Sequence, residues 1–117
     1  MRTITRHIDC LKINVDFVVG TNAQENHDII DAADPEDLWF HISGHPSCHV
    51  ISKIPPGIDI DKKELQKIAK QGAVVCKEMS GFKKEKNVKI DYTAIKYVTK
   101  GEKPGSVNIT NGKQIII

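Results

Sequence analysis

Polar and apolar residues alternate near the start of the chain. Ile13, Val15 and Phe17 are separated by Asn14 and Asp16, a period of two that predicts a half-buried strand over 11–20. The segment 3–8, Thr-Ile-Thr-Arg-His-Ile, reads as a second strand, and Gly20 ends the pair. Thr21 followed by Gln24 is a capping-box signal. A short helix is expected over 22–33, stopped by Pro35. Asn22 and Asn26 fall one turn apart on one face of it.

The stretch 35–55, Pro-Glu-Asp-Leu-Trp-Phe-His-Ile-Ser-Gly-His-Pro-Ser-Cys-His-Val-Ile-Ser-Lys-Ile-Pro, places His41, His45 and His49 four residues apart. That spacing fits one helix face, but Gly44 and Pro46 interrupt it, and proline breaks a helix interior. The segment predicts a hairpin instead: strand 37–42, a turn at 43–47, strand 48–53. Alternation puts Leu38, Phe40 and Ile42 on one face and Trp39 and His41 on the other. A turn centred on His45 sets His41 opposite His49 and Trp39 opposite Ile51. Leu38, Phe40 and Ile42 then share the core face with Cys48, Val50 and Ser52.

A long helix follows a loop at 54–59. Leu65, Ile68, Ala69, Gly72, Cys76 and Met79 recur at helical spacing. Asp61 and Glu64 form a capping box, Ile60 and Leu65 are placed for a hydrophobic staple, and Gly81 is a natural stop. A strand is expected over 87–92, then a less regular stretch to Lys100 and a turn at 100–105. Ser-Val-Asn-Ile (106–109) and Lys-Gln-Ile-Ile-Ile (113–117) are expected to pair as a terminal hairpin across Asn111-Gly112. The pattern gives an α+β fold: a mixed or antiparallel sheet with hairpins, and one short and one long helix packed on it. One domain over 1–117 is expected from the length.

Composition changes this picture little. The chain of 117 residues is 39% hydrophobic and 27% charged, ordinary for a globular domain. No apolar run approaches the roughly 20 residues a membrane helix needs, and the N-terminus lacks the apolar centre of a secretory signal. Cys10, Cys48 and Cys76 are odd in number and without CxxC spacing. Reduced thiols and a cytoplasmic location are therefore expected, with no membrane partner.

Charge distribution says more than the net value of +2. Residues 1–60 hold four Lys and Arg against nine acids, while residues 61–104 hold twelve Lys against six acids. A lysine-rich half attracts phosphate if its lysines share a face, and is otherwise an ordinary solvated surface.

The histidine stretch allows three kinds of chemistry. A metal site needs about four ligands in a closed set; with the helix excluded and His45 on the turn, no metal and no cofactor is expected. Nucleophilic catalysis needs Ser or Cys beside a base. Cys48 points away from His49 and Ser47 lies in the turn, which leaves the pair His41 and His49 as the acid–base candidates if the protein is an enzyme. The third reading is a binding face, with Trp39, His41 and His49 as stacking surfaces and His, Asn and Lys as donors to phosphates and base edges.

Three blocks taken together resemble a known family. Gly-Thr-Asn-Ala-Gln-Glu-Asn (20–26) is similar to its Asn-Ala-Gln-x-Asn helix start. Asp-Leu-Trp-Phe-His (37–41), with Ser47 and His49 downstream, resembles its Trp-x-His and Ser-x-His blocks. Val-Lys-Ile-Asp-Tyr-Thr (88–93) through Lys-Pro-Gly-Ser-Val (103–107) is similar to its C-terminal part. The family is NFACT-R, the RNA-binding domain of the NFACT ribosome quality-control proteins, and the resemblance covers about 14–117. It implies an α+β domain that binds RNA, tRNA or rRNA, in translation or ribosome quality control. Matching positions are Asn22, Gln24, Asn26, Asp37, Trp39, His41, Ser47, His49, Tyr92, Lys100, Lys103 and Gly105. His45 and Cys48 depart from the pattern. The expected RNA contacts are Asn22, Gln24, Asn26, Trp39, His41, Ser47 and His49, with Lys77, Lys83, Lys84, Lys86, Lys100 and Lys103 on phosphates. The ribosome is a further partner under this reading. An RNA-modification or processing factor using the His pair, and a protein-interaction module docking on the ribosome, are the alternatives.

Overall fold

Strand alternation gives one sheet two apolar faces, and each face has its own cover. The computed structural model describes residues 1–117. In order, the elements are β1 (Arg2–Ile8), β2 (Ile13–Gly20), α1 (Ala23–Ala32), β3 (Leu38–Ile42), β4 (His49–Ser52), α2 (Lys62–Met79) and β5 (Lys89–Ala94). A 3-10 turn (Ile95–Tyr97), β6 (Val98–Lys100), β7 (Val107–Ile109) and β8 (Lys113–Ile116) complete the chain. The main sheet has six strands in the order β1-β2-β4-β3-β5-β8, and β6 and β7 form a separate ribbon. Every pairing is antiparallel. This is the expected α+β class, with one short and one long helix on an antiparallel sheet.

α2 covers one face. Val15, Phe17, Val19, Phe40, Ile42, Val50 and Ile90 meet Ile68, Ala69, Ala73 and Cys76 there. Phe40 sits directly under Gly72, where an added Cβ would overlap the ring. The ends of α2 are fixed locally. Asp61 accepts from Glu64 N and Glu64 accepts from Asp61 N, the expected capping box. At the other end Gly81 takes φ +79° and Phe82 N reaches Lys77 O, closing the last turn. The opposite face is covered by α1 and the β6–β7 ribbon. Trp39 and Ile51 pack there with Ile29, Ile30 and Ile95, flanked by Val107 and Ile109.

The central hairpin has the expected register, with Leu38 opposite Ser52, Trp39 opposite Ile51 and Phe40 opposite Val50. Three expectations differ. The cap of α1 is Asn22, not Thr21: Asn22 Oδ1 accepts from Glu25 N, while Thr21 donates to the Glu25 carboxylate from N and Oγ1. The fifth strand starts at Lys89, because Asn87 takes φ +57° and cannot continue an extended segment.

The terminal hairpin does not form: β7 pairs with β6, and β8 crosses to the edge of the main sheet beside β5. The Asn111 turn exists, with φ +53°, but Thr93 Oγ1 donates to Thr110 O and Asn111 O and fixes it to β5. Burial decides the outcome. Val107 and Ile109 join the Trp39 face, whereas Ile115 joins the α2 face, and a local hairpin would not serve both.

Candidate nucleic-acid interface

Register alone assembles a polar row across the sheet. His49 on β4 stands beside Gly20 on β2, His41 on β3 pairs with Asp91 on β5, and Asp91 pairs with Gln114 on β8. The two imidazoles face one another at 5.0 Å between centroids, nearly perpendicular. The His41 ring lies parallel to Trp39 at 5.7 Å, and His49 meets Trp39 edge-on at 5.4 Å. Trp39, His41 and His49 therefore share one face, opposite Phe40 and Val50, as alternation requires.

Hydrogen bonds fix each ring. Trp39 Nε1 donates to His49 Nδ1 at 3.1 Å, so His49 carries its proton on Nε2. Asn26 Oδ1 accepts from His49 N at 3.3 Å. Gly20 makes room for that amide, since a Cβ there would lie 2.5 Å from Asn26 Oδ1. Burial pushes the His49 pKa down to about 3, helped by the neighbouring His41 and His27. Burial also lowers the His41 pKa, and Asp91 opposes the shift. Both rings are neutral at neutral pH. A base as weak as His49 is poorly matched to proton transfer there.

The structure changes the role of two expected contacts. Trp39 and His49 are each only 3% exposed. Beneath α1 and the ribbon, the indole cannot stack on a base; it forms the floor that orients His41 and His49. His41 is half-buried and is the part of this trio that a ligand reaches. Ser47 closes the hairpin turn, accepting from Ile42 N and donating to Cys48 O. Asn22 caps α1, and Gln24 donates to Asp28 on its exposed side.

The lysines divide. Lys83, Lys84 and Lys86 are exposed in the loop between α2 and β5. That loop lies against the hairpin turn: His45 packs on Phe82 at 5.7 Å, and a cavity of about 320 Å³ is lined by Ser43, His45, Phe82, Lys86 and Lys89, with Glu85 as its one carboxylate. Gln114 Nε2 joins this end to the polar row, donating to Asp91 Oδ1 at 2.8 Å and Ser43 Oγ at 3.2 Å. Lys77 instead donates to Ile117 O, and Lys100 pairs with Asp31 beside α1. Lys103 is exposed in the turn after β6, where its carbonyl accepts from Ser106. The thirteen expected contacts are thus not one cluster. No group of three or more His, Cys, Asp or Glu side chains is arranged to hold a metal ion.

Asp91, Gln114 and His27 were not among the expected site residues. Alternation placed Asp91 opposite Ile90 and Tyr92, but its partnership with His41 depends on β3 pairing β5, some fifty residues away in the chain. His27 ties α1 to the turn between β6 and β7 through Ser106 O at 3.0 Å. Asp37 is buried and holds the chain around β3: it accepts from Asp34 N, Ile54 N and Lys53 Nζ.

An antiparallel sheet with a polar row at one end, backed by a lysine loop, describes a nucleic-acid-binding module. Residues 12–116 match the family model described as the NFACT protein RNA binding domain, and the chain belongs to that family. Over 43 residues it is 42% identical to coiled-coil domain-containing protein 25 of Danio rerio, a match covering 37% of this chain and 21% of that protein. The C-terminal part of the fibronectin/fibrinogen-binding protein from Streptococcus suis has a similar fold, with TM-score 0.73 and 23% identity, over 88% of this chain and 41% of the solved one. The chain thus spans less than half the length of either. No helix is long and apolar enough to cross a membrane.

Proposed function

We propose that the protein binds structured RNA, tRNA or rRNA, at the end of the sheet where His41, the Ser43–Ser47 turn and the 82–89 loop converge, and that it serves translation or ribosome quality control as one unit over 1–117. The observation carrying this is the polar row in which His41 is paired by strand register with Asp91, and Gln114 hydrogen-bonds both Asp91 and Ser43, beside exposed Lys83, Lys84 and Lys86. Lysines supply phosphate contacts in this arrangement, and the neutral His41 ring offers one donor and one acceptor to a base edge. The family's RNA-binding role supports the choice of polyanion.

A salt series on tRNA and on an rRNA fragment tests it. Each phosphate contact contributes about 0.7–0.9 to the slope of log affinity against log salt. Changing Lys83, Lys84 and Lys86 to Glu is expected to weaken all RNAs alike and flatten that slope by about two. His41→Ala is expected to change preference among RNAs at nearly constant slope. An unchanged slope in the triple variant would overturn the assignment and favour docking on a protein.

A further inference from the structure

A second cleft lies at the opposite end of β3, on the α2 side of the sheet. It measures about 420 Å³ and is lined by Lys62, Gln66, Tyr92, Tyr97, Asn111 and Lys113 together with apolar side chains, within the usual size range of ligand sites, ≈ 300–1,000 Å³. No carboxylate lines it. Lys62 and Lys113, from the first turn of α2 and the start of β8, have no acidic partner, unlike Lys53, Lys96 and Lys100.

The walls are fixed rather than incidental. Tyr97 is among the few large apolar side chains left exposed, at 37%. Lys96 Nζ sits 5.5 Å over its ring and is itself held by Glu36 at 2.8 Å. Lys96 is not part of the cleft wall, so one ring face is braced by a cation while the ring borders the cleft. Thr93 Oγ1 pins the Asn111 turn through two carbonyls, and β8 registers Lys113 beside Tyr92. Gln66 Nε2 donates to Tyr92 Oη, which leaves the Gln66 carbonyl oxygen free as an acceptor.

A braced aromatic ring, two unpaired ammonium groups and two side-chain amides, with no acid, are complementary to an anion that carries a flat hydrogen-bonding ring. We infer that this cleft binds an unpaired nucleotide, its base against Tyr97 and its phosphate between Lys62 and Lys113. The inference rests on the RNA reading above and adds a site to it. α2 separates the two ends: its eighteen residues run about 27 Å from Lys62 to the lysine loop. Exposed Lys63, Lys67 and Lys70 lie on it between them. A duplex at the loop would thus present its single-stranded extension to the cleft.

The experiment compares a blunt RNA duplex with the same duplex carrying an oligoadenylate overhang, by fluorescence anisotropy. Stacking of one base on an aromatic side chain is expected to give the overhang RNA an advantage of about five- to a hundredfold. Tyr97→Ala should abolish that advantage and leave blunt-duplex affinity unchanged. Tyr97→Phe should retain it, and a thermal melt confirms that both variants fold. Lys62→Glu with Lys113→Glu should remove it and lower the salt slope more for the overhang RNA than for the blunt duplex. An advantage that survives Tyr97→Ala, or no advantage at all while the duplex binds through the lysine loop, overturns the cleft and leaves the RNA reading standing. Failure of the wild type to bind either RNA overturns both.

Discussion

The bond from Trp39 Nε1 to His49 Nδ1 decides where a proton can go: protonating Nδ1 removes the acceptor that a buried indole N–H needs. In the unfolded chain the ring titrates near 6.5, and in the fold near 3. Between these values the unfolded state binds the extra proton, so this contribution to stability is complete above about 6.5 and is lost as pH falls toward 3. Its slope reaches at most about 1.4 kcal/mol per pH unit. His49→Asn keeps an acceptor for Trp39 without a titrating nitrogen. Urea denaturation at about pH 7.5 and about pH 5 should show a smaller acid loss in the variant than in the wild type; equal losses would mean that His49 is not held neutral. Asp37 is a second residue whose role is support. Asp37→Ala removes the short ion pair to Lys53 and strands the N–H groups of Asp34 and Ile54, at an expected cost of about 2–4 kcal/mol. Denaturant midpoints check this, and a loss under about 0.5 kcal/mol, the range of an ordinary surface change, would rule it out.

At the scale of elements, what was legible in the sequence was what neighbours decide. The Asp61–Glu64 box, the Gly81 stop and the β3–β4 register all depend on residues close in the chain. They were readable because capping, turn geometry and alternation act over a few positions. The face shared by Trp39, His41 and His49 was readable for the same reason. What lay on top of Trp39 was not, because that depends on α1 and the ribbon arriving from distant segments. The fate of β7 and β8 was hidden likewise, since an Asn-Gly turn signals a reversal and not which strands flank it. Packing of α2 on β3 yields a prediction of its own. Gly72→Ala gains roughly 1 kcal/mol of helix propensity, but the new methyl overlaps the Phe40 ring, which is fully buried and stacked on Tyr92. Overpacking typically costs about 1–3 kcal/mol, so a net loss is expected. Phe40→Leu should recover part of it in the double variant. A neutral or stabilised Gly72→Ala would show that the helix shifts freely over the sheet.

For the whole molecule, the division of charge along the sequence becomes a division between faces. The acids of residues 28–37 surround α1 and the start of β3, where they occupy Lys53, Lys96 and Lys100. Lys62, Lys63, Lys67 and Lys70 on α2, and Lys83, Lys84, Lys86 and Lys89 beyond it, are exposed. Those eight have no carboxylate within ion-pairing distance, because every lysine ion pair of the chain involves Lys53, Lys96 or Lys100. A net charge near zero therefore conceals a molecule with one cationic side, and the field of that side, not the total, governs how a polyanion approaches. His41 opens on the other face but at the same end as the lysine loop, so a single RNA can meet both only by lying over that end of the sheet. Amine-reactive footprinting read by mass spectrometry, with and without tRNA, tests this geometry directly. Protection is expected at Lys83, Lys84 and Lys86 first, then along α2, while Lys53, Lys96 and Lys100 react equally in both states. Raising the salt should weaken protection at the loop and along α2 together, since both sets of lysines are phosphate-directed contacts. Protection centred on Lys96, Lys100 and Lys103 would place the RNA over α1 and the ribbon, and would remove the lysine loop from the interface.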